Sequence, residues 1–161
     1  MSGRLTAAVA GLGSAGLLLG ALAFQYLGGL PPCALCIWQR WPHGIAIVLA
    51  LGALALPSVR RPLAIAAALA VAAGAAIALY HTGVEQLWWP GPDTCSAPDI
   101  SNLTAEELLD RLMTTPVVRC DEVLWSFAGL SMASWNGVLS LALMALWLVA
   151  AARQASSSAS Q

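Results

Sequence analysis

The chain has 161 residues, of which 59% are hydrophobic and only 9% are charged, whereas about a quarter of the residues in a soluble domain are charged. This composition excludes an ordinary soluble protein and indicates an integral membrane protein with a single domain. The formal net charge is -1, and all seven cations are Arg without a basic cluster, so nucleic acid is not an expected partner.

Apolar runs between charged residues predict four membrane-spanning helices, because a helix needs about 20 mostly apolar residues to cross a bilayer. The predicted fold is therefore an all-α integral membrane bundle that occupies residues 1–155. Its spans, in chain order, are residues 5–27, 43–57, 62–80 and 133–152. Between and after them lie a first loop at 28–42, a second loop at 81–132 and a Ser-rich tail at 156–161 that we expect to be disordered.

Small residues at a spacing of four predict close contacts between these helices. The first span contains Gly16 and Gly20, and the third span contains Ala70, Gly74 and Ala78. A compact bundle packed through these faces follows from the pattern.

The first span has a second interpretation. Arg4 is followed by an apolar run that ends in Ala21-Leu22-Ala23, which is similar to a secretory signal peptide with its cleavage site. The run is longer than the usual apolar region of such a peptide, about 7–15 residues. We therefore interpret it as a span, and cleavage would leave the sidedness of the later segments unchanged.

The first loop contains the sequence LPPCALCIWQR, a C-x-x-C pair beside two prolines and an arginine. Pro31 and Pro32 block a helix before Cys33, so the second helix is expected to begin near the motif and to place its positive end at the cysteines. In a helix, Cys36 and Arg40 share one face. Both effects favour the thiolate, although Arg40 alone could anchor the helix at the interface.

The second loop contains the other two cysteines, Cys95 and Cys120, so all four lie in loops. Three pairings are formally possible, and the short spacing favours Cys33 with Cys36, which leaves Cys95 with Cys120. The second pair could be a structural staple, since closing a loop of this length contributes about 3 kcal/mol. Alternatively, the four sulfurs could be ligands of a zinc ion. Haem attachment would need a His in place of Ile37.

The rest of the second loop predicts two surface-lying segments. Thr104 and Glu107 form a capping box, with a matching hydrophobic staple, ahead of a short amphipathic helix that Pro116 ends. A second interfacial helix or segment is expected within 123–132. The apolar residues that define the two segments are Leu103, Leu108, Leu109, Leu112 and Met113 in the first and Val123, Leu124, Phe127 and Leu130 in the second.

The arginines predict the orientation, because Arg close to the ends of spans is retained in the cytoplasm. Arg4, Arg60, Arg61 and Arg153 fall on one side of the predicted topology. Both termini are then cytoplasmic, and both cysteine loops face the opposite compartment, which permits disulfides. A dithiol at this surface needs an electron acceptor, and a lipid-dissolved quinone is the acceptor that a membrane supplies.

These residues resemble the disulfide bond formation protein B (DsbB) family of bacterial inner-membrane thiol:quinone oxidoreductases. The resemblance covers nearly the whole chain and rests on four stretches taken together. They are P-C-x-L-C-I followed by an aromatic residue and Arg at 32–40, His81-Thr82, the pair Cys95 and Cys120, and the run from Cys120 through Trp125, Phe127, Gly129, Leu130 and Met132 to Trp135.

The resemblance implies the role of each cysteine. Cys95 would be attacked by the thiolate of a periplasmic DsbA-type oxidase, Cys120 would pass the electrons to Cys33, and Cys36 would contact a quinone, either ubiquinone or menaquinone, with no metal. It also implies that Arg40 and His81 bind the quinone, His81 having a helix-capping role as its alternative. Sequence reasoning thus predicts the partners as a DsbA-like oxidase, the quinone pool and the lipid bilayer.

Some positions depart from the family pattern. Gln39 stands where an acid is expected, Trp38 replaces a tyrosine, and Pro42-His43 is unusual, with Pro42 predicting a kink. A vitamin-K-epoxide-reductase-like enzyme is an alternative, but that family has its C-x-x-C at the last span. A non-catalytic membrane scaffold with two structural disulfides is the alternative from a different class.

Overall fold

The structure, a computed structural model, describes residues 2–95, 104–107, 109 and 118–158. Four long helices make up most of this part of the chain: α1 Gly3–Tyr26, α2 Ala34–Ala55, α3 Arg60–Glu85 and α4 Met132–Ser158. Two single 3₁₀ turns lie at Pro57–Val59 and Asp93–Cys95, and strands β1 Ser126–Phe127 and β2 Leu130–Ser131 form an antiparallel hairpin.

All four helices are long and apolar enough to cross a membrane, so the predicted four-helix membrane fold is confirmed. Their bounds differ from the predicted spans mainly in three places, one of which is α3, which continues past residue 80 to Glu85 and so includes His81 in the helix rather than in the second loop. Helix α2 begins at Ala34, near the motif as the prolines predicted, so residues 34–42 that were assigned to the first loop belong to the helix, and their polar side chains find partners inside the bundle. Helix α4 continues to Ser158, into the stretch that was expected to be disordered, since Ala and Gln after Arg153 are good helix formers.

The helices form a ring in chain order. Helix α1 contacts α2 and α4, and α3 contacts the same two helices. Small residues allow the close approach: a Cβ atom added at Gly74 of α3 would lie 3.1 Å from Cβ of Pro42 in α2, and one added at Gly137 of α4 would lie 3.4 Å from Cβ of Ala78. The predicted contact face of the third span is therefore confirmed at Gly74 and Ala78.

The predicted contact through Gly16 and Gly20 of α1 is wrong. A Cβ atom added at either position would meet no other atom within 4 Å. These two glycines line a cavity instead of a neighbouring helix. The spacing of small residues shows that a helix face lacks large side chains, but it does not show whether another helix or a cavity lies against that face.

The core has two parts. The larger part packs small side chains of all four helices, mainly Ala, around the buried side chain of Trp147. The smaller part lies at the other end of the bundle and consists of Cys33, Leu35, Val84, Cys95 and Cys120. All four cysteines thus lie at one end of the bundle, because Cys36 follows in the first turn of α2.

The second loop agrees with the sequence in one place and differs in another. The capping box is confirmed, since Thr104 N–H donates to Glu107 Oε2 at 2.9 Å and Glu107 N–H donates to Thr104 Oγ1 at 3.3 Å. The staple and most of the amphipathic helix lie outside the described residues. The second expected interfacial helix is a hairpin instead, because Ala128 and Gly129 both adopt positive φ, 51° and 80°, the conformation of a two-residue turn.

Candidate functional site

Cys33 is the N-cap of α2, as the flanking prolines predicted. Its Sγ accepts a hydrogen bond from the backbone N–H of Cys36 at 3.2 Å. The two Sγ atoms lie 2.8 Å apart as free thiols, so a small movement would join them. Cys33 is buried, and Cys36 is half-buried on the wall of a cavity.

The two sulfurs are electrostatically unequal. The pKa of the Cys33 thiol is raised well above its ordinary value, chiefly because its S–H donates to the Cys36 sulfur, and burial raises it further. The proton of the pair is therefore held on Cys33. This leaves Cys36, at the positive end of α2 and on the cavity wall, as the sulfur that carries negative charge.

Cys95 and Cys120 form a disulfide, with their Cα atoms 5.2 Å apart. This is the pairing that the spacing favoured. The disulfide packs in one cluster with Cys33, and its two residues are only 6% and 0% exposed. The disulfide and the dithiol are thus neighbours in one dry environment, although 59 residues or more separate Cys36 from Cys95 in the sequence.

His81 of α3 lies between the two pairs. Its Nε2 atom is 3.1 Å from the Cys120 carbonyl oxygen and 3.6 Å from Cys33 Sγ. Its Nδ1 atom is 2.8 Å from Nε2 of Gln39. Sequence reasoning placed His81 at a quinone site, and in the structure it both borders the cavity and bridges the cysteine pairs.

A row of buried polar side chains continues from Gln39 into the bundle. Asn136 Nδ2 donates to Gln39 Oε1 at 2.7 Å, and Asn136 Oδ1 is 3.0 Å from His43 Nε2, which is in turn 3.4 Å from Ser140 Oγ. The row joins α2 to α4 across the centre of the ring. Sequence reasoning missed Asn136 and Ser140; their spacing of four on one helix face within an apolar span was the signal that could have found them.

Arg40 lies one helical turn after Cys36, on the same cavity wall. Its Nη1 donates to Oε1 of Gln25 in α1 at 2.6 Å. Its buried Nε atom has no hydrogen-bond partner among the described residues, and neither has Nδ1 of His43. Two buried polar atoms along one cavity wall are therefore available to a ligand.

The cavity has a volume of about 450 Å³, within the range of small-molecule sites. It extends from the Cys33–Cys36 dithiol between α1 and α4, and its walls are mainly apolar. Aromatic rings stand at one side: Phe24 and Trp125 have centroids 5.0 Å apart, and Phe127 lies 6.3 Å from both Trp125 and Trp135. Other lining residues include Gly16, Gly20, Ala21, Leu30, Glu85, Met132 and Leu139.

A smaller cavity of about 260 Å³ lies beside the disulfide, with Cys95, Trp89 and Gly91 in its wall. Arg119 and Asp121 border it as an exposed ion pair. The hydrogen bond from Arg119 lowers the pKa of the Asp121 carboxyl group and raises that of the guanidinium. This cavity gives the loop surface over Cys95 a polar, charged edge.

A metal fits this site less well than a redox function does. The ligand atoms of Cys33, Cys36 and His81 lie within 4.8 Å of one another, but Cys95 and Cys120 are consumed in a disulfide. A structural zinc site needs four ligands. Within the described residues, the zinc alternative thus has only three converging ligands.

Four membrane-spanning helices with a buried disulfide beside a C-x-x-C dithiol define a membrane thiol–disulfide oxidoreductase. Residues 3–150 match the family described as disulfide bond formation protein DsbB, and the chain belongs to that family. The resemblance stated from the sequence is therefore confirmed. No solved structure matches the chain.

Several curated relatives agree. The chain is 34% identical over 152 residues to disulfide bond formation protein B of Stutzerimonas stutzeri, covering 86% of this chain and 90% of the relative. It is 32% identical over 149 residues to the protein of the same name from Saccharophagus degradans, covering 89% of each. A third, from Xanthomonas campestris pv. campestris, is 34% identical over 144 residues and 84% of each chain. The chain is thus a disulfide-forming oxidoreductase.

Proposed function

We propose that this protein is a thiol:quinone oxidoreductase of the bacterial inner membrane, which reoxidises a periplasmic DsbA-type dithiol oxidase and so supports protein disulfide bond formation. The observation that carries the proposal is the position of the Cys33–Cys36 dithiol. On one side it packs against the Cys95–Cys120 disulfide, and on the other it borders an apolar cavity. Electrons can therefore enter at one pair and leave at the other.

The entry half of the cycle is thiol–disulfide exchange. A thiolate of the partner attacks Cys95 Sγ, which forms a mixed disulfide and releases the Cys120 thiolate. Cys120 attacks Cys33 of an oxidised Cys33–Cys36 pair, and Cys36 leaves as a thiolate. The second partner thiolate then resolves the mixed disulfide, and freed Cys95 attacks Cys120.

At the end of this exchange the partner is oxidised, the Cys95–Cys120 disulfide is restored, and Cys33 and Cys36 hold two electrons and their protons. The described state, an intact disulfide beside a free dithiol, corresponds to this point. In the exit half, the dithiol passes two electrons and two protons to a quinone. The Cys33–Cys36 disulfide forms again, and quinol leaves into the membrane.

The cavity fits a quinone such as ubiquinone or menaquinone. Its apolar walls suit an isoprenoid tail, and the unpartnered Nε of Arg40 and Nδ1 of His43 suit the ring oxygens. Arg40 would stabilise the negative charge that develops on an oxygen during reduction. His81 borders the same cavity and completes the set of cofactor-binding residues in this proposal.

The partner would approach at the smaller cavity beside Cys95. Because Cys95 is almost fully buried, docking has to displace part of the second loop before the sulfur is reached. The loop segment around Asp93–Cys95 is a short 3₁₀ turn rather than a long element, which is consistent with a local opening.

The arrangement of the ends supports the proposed orientation. Arg153 Nη1 donates to Thr6 Oγ1 at 3.4 Å, so the two terminal helices meet at the end of the bundle opposite the cysteines. Arg4, Arg60 and Arg61 belong to the same end. Arginines at that end favour a cytoplasmic location for both termini and a periplasmic location for the cysteine loops.

The decisive test is turnover. Purified protein is mixed with a reduced DsbA-type oxidase and a soluble quinone, and quinone absorbance is followed. We expect reduction with the native protein and none with Cys36→Ser, while the thermal unfolding of Cys36→Ser stays close to native. Absence of quinone reduction by the native protein would reject the proposal and favour the membrane scaffold with structural disulfides.

A further inference from the structure

The hydrogen bonds around Gln39 have only one consistent direction. The Gln39 Nε2 atom lies 3.2 Å from the Leu35 carbonyl oxygen, which can only accept, so this atom must be the amide nitrogen. The same atom lies 2.8 Å from His81 Nδ1. That ring nitrogen must therefore accept a hydrogen bond and carry no proton.

The other side of the imidazole gives the same answer independently. His81 Nε2 lies 3.1 Å from the Cys120 carbonyl oxygen, which also only accepts. The ring proton is consequently on Nε2, and the imidazole is neutral. Cys33 Sγ, at 3.6 Å from the same Nε2, shares this donor.

Asn136 holds the amide of Gln39 in this orientation. Its Nδ2 donates to Gln39 Oε1 at 2.7 Å, so both hydrogens and the oxygen of the Gln39 side chain have partners. Gln39 is only 5% exposed, and turning its amide would place its nitrogen against the donor Asn136 Nδ2 and its oxygen against two acceptors, the Leu35 carbonyl oxygen and His81 Nδ1. Such a reversal is costly without water.

We propose that Gln39, oriented by Asn136, is a positioning residue that keeps the ring proton of His81 on Nε2. The Nε2–H group then donates to both Cys33 Sγ and the Cys120 carbonyl oxygen, and this shared contact aligns the two cysteine pairs for exchange. This inference deepens the proposed function and rests on it. It assigns His81 the role of a hydrogen-bond donor, neither a base for the Cys33 proton nor a metal ligand, because its Nε2 has no free lone pair.

Gln39→Glu is the informative variant, because the side chain keeps its size and the direction of the hydrogen bonds reverses. A carboxylate only accepts, so it could accept a hydrogen bond from His81 only if Nδ1 became protonated, and it would oppose the Leu35 carbonyl oxygen. His81 would become an imidazolium or lose its Nε2 proton. Gln86→Glu is the matched control, since Gln86 is exposed at the C-terminal cap of α3, where its backbone N–H bonds to the carbonyl oxygens of Thr82 and Val84.

The direct readout is the ¹⁵N NMR spectrum of labelled imidazoles in the purified full chain, which does not require turnover. With only two histidines in the chain, His43→Gln identifies the signals of His81. We expect a protonated Nε2 and an unprotonated Nδ1 from about pH 5 to pH 8, where an ordinary histidine titrates. A proton on Nδ1, or an imidazolium in this range, would overturn the proposal without any variant.

The functional readout is the rate of exchange between the two pairs as a function of pH. We expect exchange in Gln39→Glu to be about tenfold slower, the effect of one lost hydrogen bond at a buried site, and its rate to change with pH differently from the profile that the native protein and Gln86→Glu share. The ionisable side chains that line the same cavity as His81 are those of Cys33, Cys36, Arg40, His43, Glu85, Arg119 and Glu122.

The outcomes separate this inference from the proposed function. If the native protein shows the Nε2–H tautomer and Gln39→Glu changes the profile of exchange, the positioning role stands. If Gln39→Glu exchanges like Gln86→Glu at every pH, the positioning role is rejected even where quinone reduction is intact. A native protein that exchanges thiols but does not reduce quinone rejects the proposed function alone.

Discussion

At the scale of single residues, the inequality of Cys33 and Cys36 is the main feature of the dithiol. Both sulfurs stand at the start of α2, but the buried Cys33 holds the proton while Cys36 borders the cavity. A helix start therefore supplies a buried, protonated sulfur and a sulfur that borders the cavity, three residues apart. The pattern C-x-x-C predicted the dithiol, but only packing decides which sulfur is reactive.

The raised pKa of Cys33 predicts how the stability of the reduced protein depends on pH. Above the ordinary thiol pKa of about 8.5, the unfolded chain loses this proton while the folded chain retains it. The folded state binds more protons there, so its free energy of unfolding falls as pH rises. Denaturant unfolding of reduced protein between pH 7 and about pH 10 measures the effect; in Cys33→Ser the fall should be smaller, and an identical fall would contradict the prediction.

Arg40 offers a second prediction at this scale. Arg40→Lys replaces the planar guanidinium group, which has several N–H donors, with a single ammonium group. The ammonium group cannot donate to Gln25 and at the same time place a donor at the position of Nε. We expect the KM for a soluble quinone to rise about tenfold, with little change in thiol exchange. Arg61→Lys, at an exposed position on the opposite end, is the control. Equal quinone kinetics in the two variants would remove Arg40 from the site.

At the scale of elements, the polar start of α2 explains why the second span was predicted to begin only at residue 43, although the helix begins at Ala34. Gln39 and Arg40 were assigned to the loop because isolated polar groups are costly in lipid, whereas His43 was the first residue of the predicted span. Inside the bundle they are paired with His81, Gln25 and Asn136 on other helices. The sequence contains each partner, but a single-chain pattern does not reveal which partners meet.

The hairpin at residues 126–131 makes a prediction about its turn. Gly129→Ala places a Cβ at φ 80°, which costs about 1–2 kcal/mol in an L-residue, so the melting temperature should fall. Gly44→Ala, in a helix with open space around the new methyl group, should not lower it. Equal melting temperatures would show that the turn does not constrain the fold.

The open wall of α1 makes a prediction about substrate. Gly20→Leu would fill cavity space where no atom lies within 4 Å of the new Cβ. We expect weaker activity with a long-tailed quinone, seen as a raised KM, and a smaller effect with a tail-less analogue. Gly44→Leu makes the same change on α2 outside the cavity lining and serves as the control. A uniform loss with both quinones would argue against a tail-binding groove.

At the scale of the whole molecule, the sequence predicted the number of spans and the grouping of cysteines but not their meeting point. Long apolar runs and Arg positions carry the topology, because burial in lipid is a property of each segment by itself. The contact of His81 with both Cys33 and Cys120 depends on the relative placement of three segments. The spacing of Asn136 and Ser140 marks a polar helix face, but the contact of Asn136 with Gln39 depends on the same kind of placement.

The proposed orientation makes the final prediction. In spheroplasts, a membrane-impermeant thiol reagent added outside should label the cysteines after reduction and loop opening by the partner. The control is Ser58→Cys in a chain without its native cysteines, because Ser58 is exposed in the turn between α2 and α3. It should be labelled only in inverted vesicles. Labelling of any native cysteine from the cytoplasmic side would invalidate the electron path.

The burial of the Cys95–Cys120 disulfide affects which thiols can reduce it. A small thiol that diffuses to the second loop meets no exposed sulfur, since both residues are covered. Under the proposed function, only a protein that displaces part of the second loop would then be able to reduce the disulfide. Burial of the Cys95–Cys120 disulfide would thus protect it from reduction by small thiols.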